Sequence, residues 1–128
     1  MKTKQQIFAL AQILPYFKDT NTCGMDESGS CQYITKEGKM CVAGKNMLNP
    51  SKFDNQNISD ILKKHTQKEI FKPNAVDMLN ENQWFLLQKM HDCLSTGKQM
   101  SLKIFEEFID ELNMFTYNEL VEESRITK

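Results

Sequence analysis

The sequence predicts an α+β domain, mainly α-helical, with about five to six helices around one short β-hairpin. Three observations predict it. Gly and Pro are scarce, 5 and 3 in 128 residues, and few chain punctuators favour long helices over many turns. Apolar residues recur at spacings of three and four in several segments, the signature of amphipathic helices. Residues 31–41 instead place the β-branched and aromatic Tyr33, Ile34 and Thr35 before Glu37-Gly38, a turn after which Lys39-Met40-Cys41 can return as a short second arm.

The elements follow in order. Thr3 to Lys18 reads as a helix with Thr3 as its cap and Ile7, Leu10, Leu14 and Phe17 as its apolar stripe. Pro15 lies inside it and should kink or shorten it. Asp19 to Gly29 is rich in turn formers and reads as a loop. The hairpin follows, and Cys41 to Leu48 turns into a short helix that Asn49-Pro50 ends. Ile58 to Lys64 is a short helix with Ile58, Ile61 and Leu62 inward, and Ala75 to Leu79 adds a turn. Asn80 to Leu94 is the clearest helix: Asn80 caps it, and Trp84, Leu87, His91 and Leu94 share one face, flanked by Phe85 and Gln88. Gly97 stops it. The C-terminal helices fall within 101–124. Ser101 caps the first of them, which buries Leu102, Phe105, Phe108, Ile109 and Leu112, and Thr116 to Glu119 opens the last as a capping box.

Composition bounds the function. Residues 1–128 have the size of one domain, and 40% hydrophobic with 26% charged residues is the balance of a folded chain rather than a disordered one. A net charge of -1 without a basic face supplies little of the phosphate neutralisation that nucleic-acid binding needs, so no nucleic-acid partner is expected. No apolar run approaches the roughly 20 residues of a membrane span, and the first residues lack a signal-peptide pattern. The expected address is therefore the cytoplasm, of a bacterium or of the host of a virus, with Cys23, Cys31, Cys41 and Cys93 reduced.

Cys41 and His91 are the candidate catalytic pair. A thiol at a helix start beside an imidazole is the arrangement that makes a cysteine nucleophile for a hydrolase or transferase. Asp92 follows His91, but neighbours on a helix diverge by about 100°, which points Asp92 away from the face carrying His91. Zinc is a further alternative, as Cys23, Cys31, Cys41, Cys93, His65 and His91 are all permitted ligands. No closely spaced pair such as Cys-x-x-Cys occurs, however, so no metal site is assigned and no cofactor is expected. The acidic stretch from Glu106 to Glu123 reads as a solvated face or a docking surface.

Several of these residues carry a resemblance. Cys31-x-Tyr33, then Gly38-x-x-Cys41-Val42-Ala43-Gly44, then Leu87-Gln88-x-x-His91-Asp92 resembles a family of small uncharacterised bacterial and phage proteins marked by Cys-x-Tyr, a turn glycine, Cys-Ala-Val-Gly and Leu-Gln-x-x-His-Asp. Val42-Ala43 is inverted relative to that pattern, and Lys45-Asn46 stand where smaller or apolar residues are usual. The resemblance spans about residues 3–94 and implies a bacterial or phage source and a helix-hairpin-helix arrangement, but no activity.

Two arrangements explain the marked positions. One is a packed knot: Tyr33 on the core, Gly38 in a positive-φ turn, Gly44 at a close backbone approach, and His91 bonded to the hairpin backbone. The other is a binding pocket between hairpin and helix using Tyr33, Gly38, Gly44 and Asp92. The functional expectation is a non-catalytic accessory protein that binds a host or phage protein or sequesters a small ligand, with a counter-defence or host-takeover role. The alternatives are the Cys41–His91 enzyme and a zinc-stabilised interaction module.

Overall fold

The computed structural model describes residues 3–18, 23–24, 32–53, 56–95 and 102–126. Among them run α1 (Lys4–Lys18), α2 (Ile58–Lys64), α3 (Gln67–Ile70), α4 (Glu81–Ser95), α5 (Leu102–Leu112) and α6 (Tyr117–Ile126), with 3-10 turns at Gly44–Asn46 and Pro50–Phe53. The loop expected over 19–29 lies outside the described residues except Cys23 and Gly24, as do Ser101 and Gly97.

The fold is all-α, and this corrects the α+β expectation. No strand occurs among the described residues. The segment expected as a hairpin at about 31–41 makes a single antiparallel bridge, Ile34 to Met40. Its turn closes, with Thr35 N–H donating to the Lys39 carbonyl at 2.8 Å and Gly38 at φ 84°. The ladder does not extend because the chain leaves the pairing soon after Cys41 for the turn at Gly44–Asn46, and the outward-facing edges of both arms are tied to other segments. Gln32 N–H donates to the Gly24 carbonyl at 2.8 Å, and the Met40 carbonyl accepts the Tyr16 hydroxyl at 2.6 Å. β-Branched and aromatic residues supplied the propensity, and tertiary partners hold the outer edges of both arms.

Side chains set the helix starts. Thr3 and Gln6 exchange bonds across the first turn of α1, Thr66 and Glu69 form a capping box on α3, and Asn80 and Gln83 do the same on α4. Asn57 caps α2, and Thr116 Oγ1 accepts the Glu119 amide at the start of α6.

Packing is organised around α4, which touches α1, α2 and α5, while α6 closes against α1 and α5. Trp84 is fully buried at the middle of this arrangement. Phe71 stacks on it at 4.4 Å and Phe8 meets it edge-on at 6.0 Å, adding roughly 0.5–1.5 kcal/mol per ring pair beyond area burial. The apolar face of α1 differs from the expected stripe. Ile7 is exposed, Leu14 and Phe17 are half-buried, and the core takes Phe8, Ala9, Leu10, Ile13 and Tyr16. Phe8 is drawn to Trp84 and Tyr16 to His91, which rotates the helix by about one residue. The helix runs through exposed Pro15 to Lys18. Asn46–Leu48 lies against Ile70–Lys72 through two backbone bonds, Leu48 N–H to the Ile70 carbonyl and Lys72 N–H to the Asn46 carbonyl.

Candidate functional site

Successive turns of α4 supply two kinds of surface. Trp84, Leu87 and His91 point into the core and are fully buried. Phe85, Gln88, Lys89 and Asp92 recur at helical spacing along the neighbouring face and line a pocket of about 410 Å³. Gln32, Tyr33 and Cys41 close one side of the pocket, and Gln56, Asn57 and Ile58 at the start of α2 close the other.

His91 is held from several directions. The Gly24 amide donates to its Nε2 at 3.0 Å, Asp92 Oδ1 lies 3.0 Å from its Nδ1, and the Tyr16 ring packs edge-on at 4.7 Å. A backbone N–H can only donate, so Nε2 is the acceptor and the ring carries its proton on Nδ1, where it donates to the Asp92 carboxylate. Adjacent helix positions therefore do meet, contrary to the divergence expected of Asp92. The same Oδ1 receives Gln88 Nε2 at 3.2 Å, and Gln88 Oε1 accepts the Ala43 amide at 3.1 Å. A continuous chain of donors and acceptors thus runs from Gly24 through His91, Asp92 and Gln88 to Ala43. It fixes the Asp92 carboxylate, whose residue is only partly buried, at the pocket wall.

The glycines make this closeness possible. A Cβ on Gly24 would come within 2.5 Å of the Cys41 nitrogen and 2.7 Å of the Gln32 oxygen, and one on Gly44 would overlap the Tyr33 backbone carbonyl. Gly24 is a residue the sequence reading missed. It sits between the two members of the expected catalytic pair, touching the Cys41 backbone and bonded to the His91 ring. Its signal was Cys23-Gly24-Met25, a glycine between two apolar residues within an otherwise polar stretch. The bond expected from His91 to the hairpin backbone goes to Gly24 instead.

Cys41 has the wrong environment for a nucleophile. It is buried, and burial pushes its thiol up to about 11. The Gly44 amide, 3.3 Å from Sγ, and contacts with Gln88 and the Ala43 amide oppose the shift without reversing it. Tyr33 is buried as well, its hydroxyl donating to the Gln56 carbonyl at 2.5 Å, and burial raises its ionisation well above the usual phenol range. Of the expected binding residues, Tyr33 and Asp92 line the pocket, while Gly38 and Gly44 do not. Cys31 lies outside the described residues. Among those described, no group of three or more His, Cys, Asp or Glu side chains is placed to hold a metal ion, and no helix is long and apolar enough to cross a membrane.

No protein-family model matches the chain, and neither a curated protein nor a solved structure matches it.

Proposed function

We propose that this protein binds a small polar ligand in the pocket between α4, the start of α2 and residues 32–41. The observation that carries this reading is the pocket wall itself. The Asp92 carboxylate is pre-oriented by His91 and Gln88 at the edge of an opening of about 410 Å³, within the size range of small-molecule sites. Gln32, Gln56, Asn57 and Lys89 surround it with amides and one cation, and Phe85 and Tyr33 supply flat apolar surface. Such a lining suits a molecule that offers hydrogen-bond donors to a carboxylate and has a planar or apolar body.

The binding reading is favoured over thiol catalysis for two reasons. The Cys41 thiol stays protonated near neutral pH, and both nitrogens of His91 are already engaged. Taken with the resemblance to small bacterial and phage proteins, the role we assign is that of a cytoplasmic accessory protein that sequesters its ligand.

Native mass spectrometry of the purified protein, followed by calorimetric titration with a panel of nucleosides, amino acids and small sugars, tests it. One compound should bind, and Lys89→Ala or Phe85→Ala should weaken that binding while leaving the circular dichroism spectrum unchanged. A panel without a binder, or binding indifferent to both substitutions, overturns the assignment.

A further inference from the structure

A second depression, of about 480 Å³, shares no residue with the pocket above. Pro15, Tyr16 and Met40 give it an apolar floor, and Glu37, Lys39 and Lys45 give it a polar rim. Lys45 is the unusual member. It sits on the 3-10 turn Gly44–Asn46, which Asn46 ties to α1 by donating to Gln12 Oε1 at 2.8 Å. This placement carries the Lys45 amine back over α1, where it is half-buried. Its Nζ donates to the Gln12 carbonyl at 2.8 Å and stands 4.8 Å over the Tyr16 ring. Among the described residues no carboxylate forms an ion pair with it. The ammonium is therefore stabilised by a carbonyl dipole and a ring face, against the cost of leaving water.

We infer that Lys45 is a nucleophilic amine site that takes small carbonyl compounds, above all aldehydes with an apolar body, as an imine. The unprotonated Nζ attacks the carbonyl carbon and a C–N bond forms. One Nζ proton passes to the carbonyl oxygen to give a neutral carbinolamine. The second passes through solvent to the same oxygen, which leaves as water as the nitrogen lone pair forms C=N. Nothing is oxidised or reduced. Pro15, Tyr16 and Met40 shelter the apolar body of the aldehyde, and the open rim lets water leave. Burial supplies the free amine by pulling the Lys45 ammonium down to about 8, with Cys41 acting weakly in the opposite direction. The other titratable or charged groups near it are Glu37 and Lys39 on the rim, Tyr16 beneath it, and Lys72, whose Nζ donates to the Lys45 carbonyl at 3.1 Å.

Limiting benzaldehyde with cyanoborohydride at pH 7.5, followed by peptide mapping, tests this on the intact protein. Lys45 should be alkylated at least about tenfold faster than exposed Lys89, as expected for a half-buried amine with a larger unprotonated fraction than an ordinary lysine. Its rate should reach half-maximum near pH 8, and Lys45→Arg should remove that adduct alone. Alkylation of Lys45 no faster than of Lys89, or a rate still rising steeply at pH 10, overturns the inference. Because both lysines are compared in the wild-type chain, the result does not depend on how the variant folds.

Discussion

On one face of α4, His91 is sealed in the core, with a backbone amide on one nitrogen and a carboxylate on the other. On the next face, one residue later, Asp92 reaches the wall of an open pocket. The buried face is clamped by a residue far away in sequence, 67 positions for Gly24 to His91. On the open face the Asp92 carboxylate takes bonds from His91 and Gln88 within one helical turn, with Gln88 tied in turn to the Ala43 amide, and room is left beside them. The two are joined by a single hydrogen bond. A pattern such as Gln88-x-x-His91-Asp92 is therefore a structural clamp and a pocket wall at once, with the imidazole doing the clamping and the carboxylate facing the pocket.

This division can be broken from either side. The largest effect is expected at Gly44→Ala, where the new methyl meets the Tyr33 carbonyl. Urea denaturation should show a loss of about 3 kcal/mol or more, enough to unfold a marginal domain. Next comes His91→Ala, which leaves a cavity and an unpaired Gly24 amide in the core; about 3 kcal/mol should be lost. Asp92→Asn should cost less, about 1 kcal/mol, because an amide oxygen can still accept from Nδ1. Equal losses for the His91 and Asp92 substitutions would erase the distinction between clamp and wall.

Smaller effects sharpen the same contrast. With its thiol at about 11, Cys41 should react with iodoacetamide at pH 8 about 100-fold more slowly than an ordinary cysteine, and His91→Gln should not slow it further. Rapid alkylation that depends on His91 would restore the catalytic pairing. The alkaline limb of stability carries the same signature. Folded Cys41 holds its proton between about 9 and 11, where the unfolded chain loses it, so stability falls as pH rises through that window. Cys41→Ala should flatten this part of a pH-dependent melting curve. Lys89→Ala on the open face is expected to move stability by no more than about 0.5 kcal/mol.

Much of the helical framework was legible in the sequence. Caps such as Asn80 with Gln83 and Thr116 with Glu119 are local chemistry, written within four residues. Trp84, Leu87 and His91 follow the helical period and do share the buried face. The missing hairpin was not legible, because it depends on where the chain goes next: into the turn at Gly44–Asn46 after Cys41, with Tyr16 and Gly24 holding the outer edges of the arms at the Met40 carbonyl and the Gln32 amide. The orientation of α1 was hidden for a similar reason. Ile7 fits a stripe as well as Phe8 does, and only the positions of Trp84 and His91 choose between them. Of the site, Tyr33, Cys41, His91 and Asp92 stood out by residue type. Gly24, Gln56 and Asn57 did not, since their roles rest on where the backbone passes.

The arrangement depends most on which nitrogen of the His91 ring carries the proton. Long-range proton–nitrogen correlation spectra of the ¹⁵N-labelled protein at neutral pH read this directly. The expected result is a protonated, pyrrole-type Nδ1 and an unprotonated, pyridine-type Nε2 with a coupling across the hydrogen bond to the Gly24 amide. A ring protonated at Nε2 would contradict it, since that nitrogen could not then accept from the Gly24 amide.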